Sequence, residues 1–280
     1  MREPFDLEWM GGVAEKYFRR IRPDVDELPW GTLDPTRYPI ELVDRARVSW
    51  TEAAYNEYCT AVAFSEMLGA LLAAKAPIDL IGMASDFMAD EVLHVELTSR
   101  IAMELGGGAP YEIDFDGLGV HPSLELSPLQ RANQLVVHVC CVGEAFSLPM
   151  LASAYNSALH PLTKQVLQRI VHDEAPHGRF GFLYLDWVSD QLDAAERARL
   201  GGIAVDTIAQ FAPLWQRLTS RVQDGITSEG YSIEHVRELG WTESSLYATR
   251  ARRAIEEEVV APLAKYGIEL PADRLAVVLA

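Results

Sequence analysis

The chain has 280 residues, 49% of them hydrophobic and 23% charged, the balance of an ordinary folded protein long enough to bury a full core without disulfides. Its formal net charge of −17 argues against non-specific binding to nucleic acid, which needs basic patches to neutralise phosphates. The three cysteines, Cys59, Cys140 and Cys141, lie inside apolar runs without a framework of spacings, as expected of reduced thiols in a cytoplasmic protein. The opening residues, MREPFDLEWMGG, are acidic and lack the basic region and apolar stretch of a signal peptide. No uninterrupted apolar run of about 18 residues predicts a membrane span.

Residues 1–40 are interrupted by Pro23, Pro29, Gly31, Pro35 and Pro39, and predict a short helix near 7–20 followed by an ordered arm packing on the rest. A long helix is expected from 41 to 74, ending before Pro77. A second runs from there to Leu105, where Gly106, Gly107 and Gly108 stop it. Residues 109–126 form a connector long enough to cross a bundle. Helices over 128–158 and 161–192 follow, joined tightly, so the order is hairpin, long crossover, hairpin. That is the connectivity of a ferritin-like four-helix bundle. The fold class expected is therefore all-α: a bundle over 41–195, an N-terminal arm over 1–40, and a C-terminal helical extension over 196–280. The extension is predicted to hold helices at 202–222, 232–239 and 243–266, with 270–280 packing back. It should share the core, because no Gly/Ser-rich linker separates it.

Within this frame one pattern is written twice. Glu57 precedes Glu91-Val92-Leu93-His94 by 34 positions, and Glu144 precedes Glu174-Ala175-Pro176-His177 by 30. An i,i+3 pair shares one helical face, so Glu91 with His94, and Glu174 with His177, can each reach one point. Four carboxylates and two imidazoles from four helices are the ligand inventory of a di-iron or di-manganese site in such a bundle. Glu52 and Glu66 compete with Glu57, but lie 39 and 25 positions before Glu91 and so miss its height on the antiparallel partner. Glu57 also shares a face with Ala61, Phe64 and Leu68, while Glu66 points the other way. Glutamates that repeat by chance on a solvent face are the plain alternative, but both pairs sit in apolar surroundings where uncompensated charge is costly.

Around these six stand further candidates. Asp90 and Asp173 each precede a ligand glutamate and are placed to take the Nδ1 proton of a ligand histidine, with solvent exposure as the alternative. Phe64, Leu68, Cys140, Phe146, Leu148, Phe180 and Tyr184 are expected to line a pocket; for Cys140 and Tyr184 plain core packing competes. His138 and His172 are out of phase with the ligand faces. Pro176, inside the fourth helix, predicts a kink or a π-type bulge beside the site.

The stretches Asp90 to His94 and Asp173 to Gly181 resemble the DExxH motifs of ferritin-like di-iron carboxylate proteins, and the run Glu57 to Phe64 fits the same group. The second stretch resembles the DEARH-type helix of bacterial ferritin-like domain proteins and, more distantly, of arylamine N-oxygenases and tRNA-hydroxylating enzymes. The resemblance covers about residues 45–190. It implies Glu57, Glu91, His94, Glu144, Glu174 and His177 as ligands of two iron ions, with dioxygen as oxidant and an external electron donor. Two departures stand out: Ile170, where the arylamine N-oxygenases carry an additional histidine, and Pro176, where relatives have arginine. The first counts against the arylamine N-oxygenase assignment in particular.

The leading expectation is therefore an oxidoreductase that hydroxylates, desaturates or N-oxygenates a small or carrier-bound organic substrate. Manganese or a mixed Mn/Fe pair is the alternative to iron, and a homodimer is compatible. Two rivals remain: an iron-handling ferroxidase or storage protein, and a helical protein whose metal is purely structural. Storage ferritins are near the length of the bundle alone, so the extensions here favour an enzyme.

Overall fold

The computed structural model describes residues 2–216, 222–223, 225–242 and 247–279. Helix α1 spans Gly12–Ile21, starting later than expected because Gly11 and Gly12 both adopt positive φ, 73° and 66°. Helix α2 spans Ile40–Ala73 and α3 spans Ile78–Glu104. The turn between them carries Lys75 at φ 56° and then Pro77, which cannot continue a helix. Helix α4 covers Pro128–Ser157, opened by a capping box in which Ser127 and Gln130 satisfy each other's backbone N–H. Helix α5 spans Pro161–Val188 and is capped by His160.

These four helices form the ferritin-like bundle, with α2 against α3 and α4 against α5. Two of the ties that hold the crossover down lie well apart along it. Its strand β2, Glu112–Asp114, pairs antiparallel with β1, Arg2–Pro4, and buries Ile113. Farther along, Glu66 accepts a hydrogen bond from the Val120 N–H at 2.8 Å and lies 3.0 Å from His121 Nδ1. Glu66 therefore serves the crossover.

Two features of the bundle differ from expectation. Helix α5 stays α-helical through Pro176. Both Pro176 and His172, whose carbonyl loses its partner, are exposed, so water can meet the freed group. The π-helical segment lies instead on the facing helix, over Val137–Glu144. There Gly181 of α5 permits close approach: a Cβ at that position would stand 2.5 Å from Cys141 Sγ. Helix α4 is long and apolar enough to cross a membrane, yet it is a core helix, with 56% of its apolar window buried within the fold.

In the extension, α6 covers Ala194–Gln216 and starts well before the expected 202, because Asp193 caps it through the Glu196 N–H at 2.8 Å. A short β3–β4 ribbon (Val222–Gln223 with Ile226–Thr227) precedes α7, Ile233–Glu238. Helix α8 occupies 247–264, with a π-helical segment at Ile255–Val260, and α9 covers Ala272–Leu279. The stretch 217–221, near the end of the helix expected at 202–222, falls outside the described residues. So do 243–246, at the start of the one expected at 243–266, and Ala280.

The core has two apolar bodies. One gathers Phe64, Met67, Phe87, Phe180 and Tyr184 with Leu200, Ile208, Trp215 and Leu263 of the extension. The other gathers Trp50, Leu93, Leu97, Leu162 and Ile170 with Val25 and Leu33 of the arm. The extension also reaches this second body, where Trp50 Nε1 donates to the Leu239 carbonyl at 3.0 Å. Along α3 and α5 the repeated Glu-x-x-His pairs fall between the two bodies, which places polar groups at mid-height in a dry interior.

Candidate metal centre

The structure brings all six residues of the repeated pattern together. Glu57, Glu91, His94 and Glu174 offer ligand atoms within 4.8 Å of one another, and so do Glu91, Glu144, Glu174 and His177. Glu91 and Glu174 belong to both groups. The result is two clusters able to chelate a pair of metal ions, with the i,i+3 pairs of α3 and α5 crossing over: His177 lies 3.1 Å from Glu91, and His94 lies 3.1 Å from Glu174.

The donor set fits cations better than it fits itself. Both oxygens of Glu91, both ring nitrogens of His94, Oε2 of Glu174 and Nδ1 of His177 are buried without a hydrogen-bond partner. His177 Nδ1 is 2.8 Å from Glu174 Oε2, within reach but not aligned for a hydrogen bond. Donor atoms that crowd one point without pairing have the arrangement of metal ligands.

Charge supports the same conclusion. In the ionised form that ligates metal, Glu57, Glu91, Glu144 and Glu174 carry four negative charges, which two divalent cations would neutralise, while Asp90 and Asp173 are matched by Arg22 and Arg169. Burial, followed by the Glu174 charge, pushes the Glu91 and Glu144 carboxyls well above their usual range. Burial would also lower His177, but Asp90, Glu174 and Glu91 outweigh it and hold the imidazole up at about 12. The pocket thus draws positive charge onto its ligand atoms.

Asp90 and Asp173 stand behind the histidines, but on the other ring nitrogen from the one expected, and across the bundle. His177 of α5 meets Asp90 of α3 through Nε2 at 3.4 Å. His94 of α3 faces Asp173 of α5 through Nε2, also at 3.4 Å. Nδ1 therefore points into each cluster, because antiparallel helices bring the imidazole of one past the preceding aspartate of the other. Each aspartate is held in turn by an arginine, Asp173 by Arg169 Nε at 2.6 Å and Asp90 by Arg22 Nε at 2.8 Å. Burial would raise Asp173, but His94 and Arg169 hold it down at about 2.

The residues expected to line a pocket divide. Phe64 packs edge-on to the His177 ring at 5.2 Å, and Phe180 reaches it through Phe87. The Cys140 thiol, raised by burial and then by Glu144, contacts Met67 at 3.7 Å. Leu148 packs beside Gly178, next to His177, and Leu68 packs on the core nearby. Phe146 turns away to stack against Phe211 and Trp215 of α6. Tyr184 donates to Asn133 at 2.7 Å in a polar network with Glu196, away from both clusters. His138 bonds Thr207 and His172 is exposed, so neither joins the ligands.

Three contributors escaped the sequence reading. Phe87 lies 4.2 Å from the His177 ring, and its position one turn before Glu91 was the available signal. Arg169 sits four residues before Asp173, a readable i,i+4 pair. Arg22 carried no such signal.

No family model matches the chain, and no curated protein matches it. A solved structure described as an R2-like ligand-binding oxidase with aerobically reconstituted Mn/Fe cofactor (long soak) is similar at 15% identity. The match covers 98% of this chain and 94% of that one, with a TM-score of 0.37.

Proposed function

We propose that this chain holds two metal ions between its bundle helices and uses dioxygen to oxidise an organic substrate. The observation that carries the reading is the pair of clusters sharing Glu91 and Glu174, with buried ligand atoms that find no partner within the protein. Glu57 with His94 and Glu144 with His177 complete the two halves. Such a hard, carboxylate-rich set suits iron, with manganese or a mixed Mn/Fe pair as alternatives. Ions bound there would supply electrons to dioxygen, replenished by an external donor.

The rest falls to the protein. Asp90 and Asp173 fix the two imidazoles so that Nδ1 points inward. Phe64, Phe87 and Phe180 exclude water beside His177. Glu57 is the one ligand residue that is not fully buried, so substrate, small or carrier-bound, approaches from its side. The resemblance of the repeated motifs to ferritin-like di-iron carboxylate proteins supports this reading, and hydroxylation, desaturation and N-oxygenation all fit it.

Two measurements test it. Elemental analysis after iron-replete expression should find two metal ions per chain; none, even after anaerobic loading with ferrous ion, overturns the reading. The reduced, loaded protein should then oxidise rapidly on mixing with oxygenated buffer, faster with one member of a panel of amines, phenols and carrier-bound acids. Loaded protein that stays reduced for hours in air with every substrate would leave a structural site.

A further inference from the structure

A groove lies on the opposite side of α4 from the metal clusters. Pro149, Ala152, Ser153 and Asn156 recur at the spacing of one helical face. At about 100° per residue, Pro149 points roughly 140° away from Glu144. This face and the extension enclose a groove of about 680 Å³, bounded across from α4 by Arg237, Arg250 and Arg253. That volume is in the range of small-molecule sites.

Several buried or half-buried arginines elsewhere lie against carboxylates: Arg19 on Glu96, Arg22 on Asp90, Arg169 on Asp173, Arg199 on Glu196. In the groove, Arg253 pairs with Glu257. Arg250 reaches only the hydroxyls of Ser153 and Thr242 among the described residues. Arg237 has no side-chain partner among them at all, and its Nε is shut off from solvent.

We infer that this groove binds an organic phosphate monoester, its phosphate held by Arg237 and Arg250. Two guanidinium charges without a carboxylate partner among the described residues match a dianion, and their planar donors match phosphate oxygens. Ser153 and Ser157 add hydroxyls on the bundle side, and Pro149, Ala152 and Ala254 give an apolar floor for the organic part. At the other end Glu257 and Glu258 repel a second anion, so the ligand is charged at one end only. Because the arginines belong to the extension and the serines to α4, an anion there bridges the two.

Calorimetric titration of the intact protein at fixed ionic strength tests this with phenyl phosphate, inorganic phosphate and benzoate. Phenyl phosphate should bind one per chain and raise the melting temperature, with benzoate about tenfold weaker. Arg237→Gln should weaken phenyl phosphate about tenfold while metal content and the unliganded melting temperature stay unchanged, since the Arg237 side chain has no hydrogen bond among the described residues to lose. Arg250→Gln should weaken phenyl phosphate as much with metal content unchanged, but lower the unliganded melting temperature because it loses the bonds to Ser153 and Thr242, and Arg237→Lys should fall between. Three results overturn the inference: no saturable binding of phenyl phosphate; benzoate binding as tightly; or undiminished phosphate binding in both glutamine variants, which would put the anion elsewhere, including on the metals.

Discussion

At the His94 half of the centre, the carboxylate behind the imidazole, Asp173, is gripped by Arg169 from one turn earlier on the same helix. At the His177 half, Asp90 is gripped by Arg22, which arrives from the end of α1, 68 residues away in the chain. The first brace forms whenever α5 forms. The second exists only while the arm is docked, and the arm is docked by other contacts: Arg19 meets both oxygens of Glu96 at 2.6 Å, and β1 pairs with β2. Burial runs the other way, for Glu57 of the locally braced half is partly exposed and Glu144 of the other half is buried. Ligands repeated with near symmetry are thus supported asymmetrically. The two ions should differ in affinity, and the arm should matter to one of them.

The largest effect separates shared ligands from unshared ones. Glu91→Ala should remove both metals, whereas Glu57→Ala and Glu144→Ala should each leave one. The heat stability that metal adds, about 4 kcal/mol when free metal exceeds its dissociation constant a thousandfold, should vanish in the first variant and persist in part in the others. Metal-free Glu91→Ala should be no less stable than metal-free wild type, because it relieves crowding among buried carboxylates. Metal counts and melting curves with and without iron check this. Equal stoichiometry in the three variants would erase the division into shared and unshared ligands.

How much of this was legible in the residues depends on how local the physics is. Helix ends were readable because Pro77, Gly106, Pro128 and Pro161 act within a turn of their own position. The ligands were readable because i,i+3 spacing defines a face whatever the tertiary structure. The π-helical segment was not. Leu135, Val136, Val137, Val139 and Val142 make its surroundings apolar on every side, so a slip of one residue leaves no change of phase. The orientation of Phe146, just past that segment, was lost with it. Which histidine nitrogen faces the ions depends on how two antiparallel helices pass each other, and Arg22 reaches Asp90 only through the path of the arm. Neither is written in any local spacing.

A smaller effect should follow from the aspartates. Asp173→Asn and Asp90→Asn keep the shape but lose the charge behind His94 and His177. Each should weaken metal binding about 10- to 100-fold, and each at its own half. Titration with ferrous ion against a competing chelator should resolve one weakened step and one intact step in each variant. If both steps weaken together in both variants, the shared glutamates couple the halves too tightly for the braces to act separately.

The smallest effect, and the sharpest comparison, concerns the arginines, which act on the metals only through the aspartates. Arg169→Gln and Arg22→Gln should each weaken binding several-fold, less than loss of the aspartate it holds. The halves can be read one at a time by placing these changes in chains that keep a single cluster. With Glu57→Ala only the His177 half remains, and there Arg22→Gln should weaken metal binding while Arg169→Gln leaves it nearly unchanged. With Glu144→Ala only the His94 half remains, and the order should reverse. Arg22→Gln should also speed proteolytic cleavage within residues 2–30, because it removes the contacts of Arg22 with Asp86 and Asp90, whereas Arg169→Gln should not. Should Arg22→Gln loosen the arm yet leave the His177 half at full affinity, the arm would be packing alone, and the asymmetry of the two braces would have no bearing on the metals.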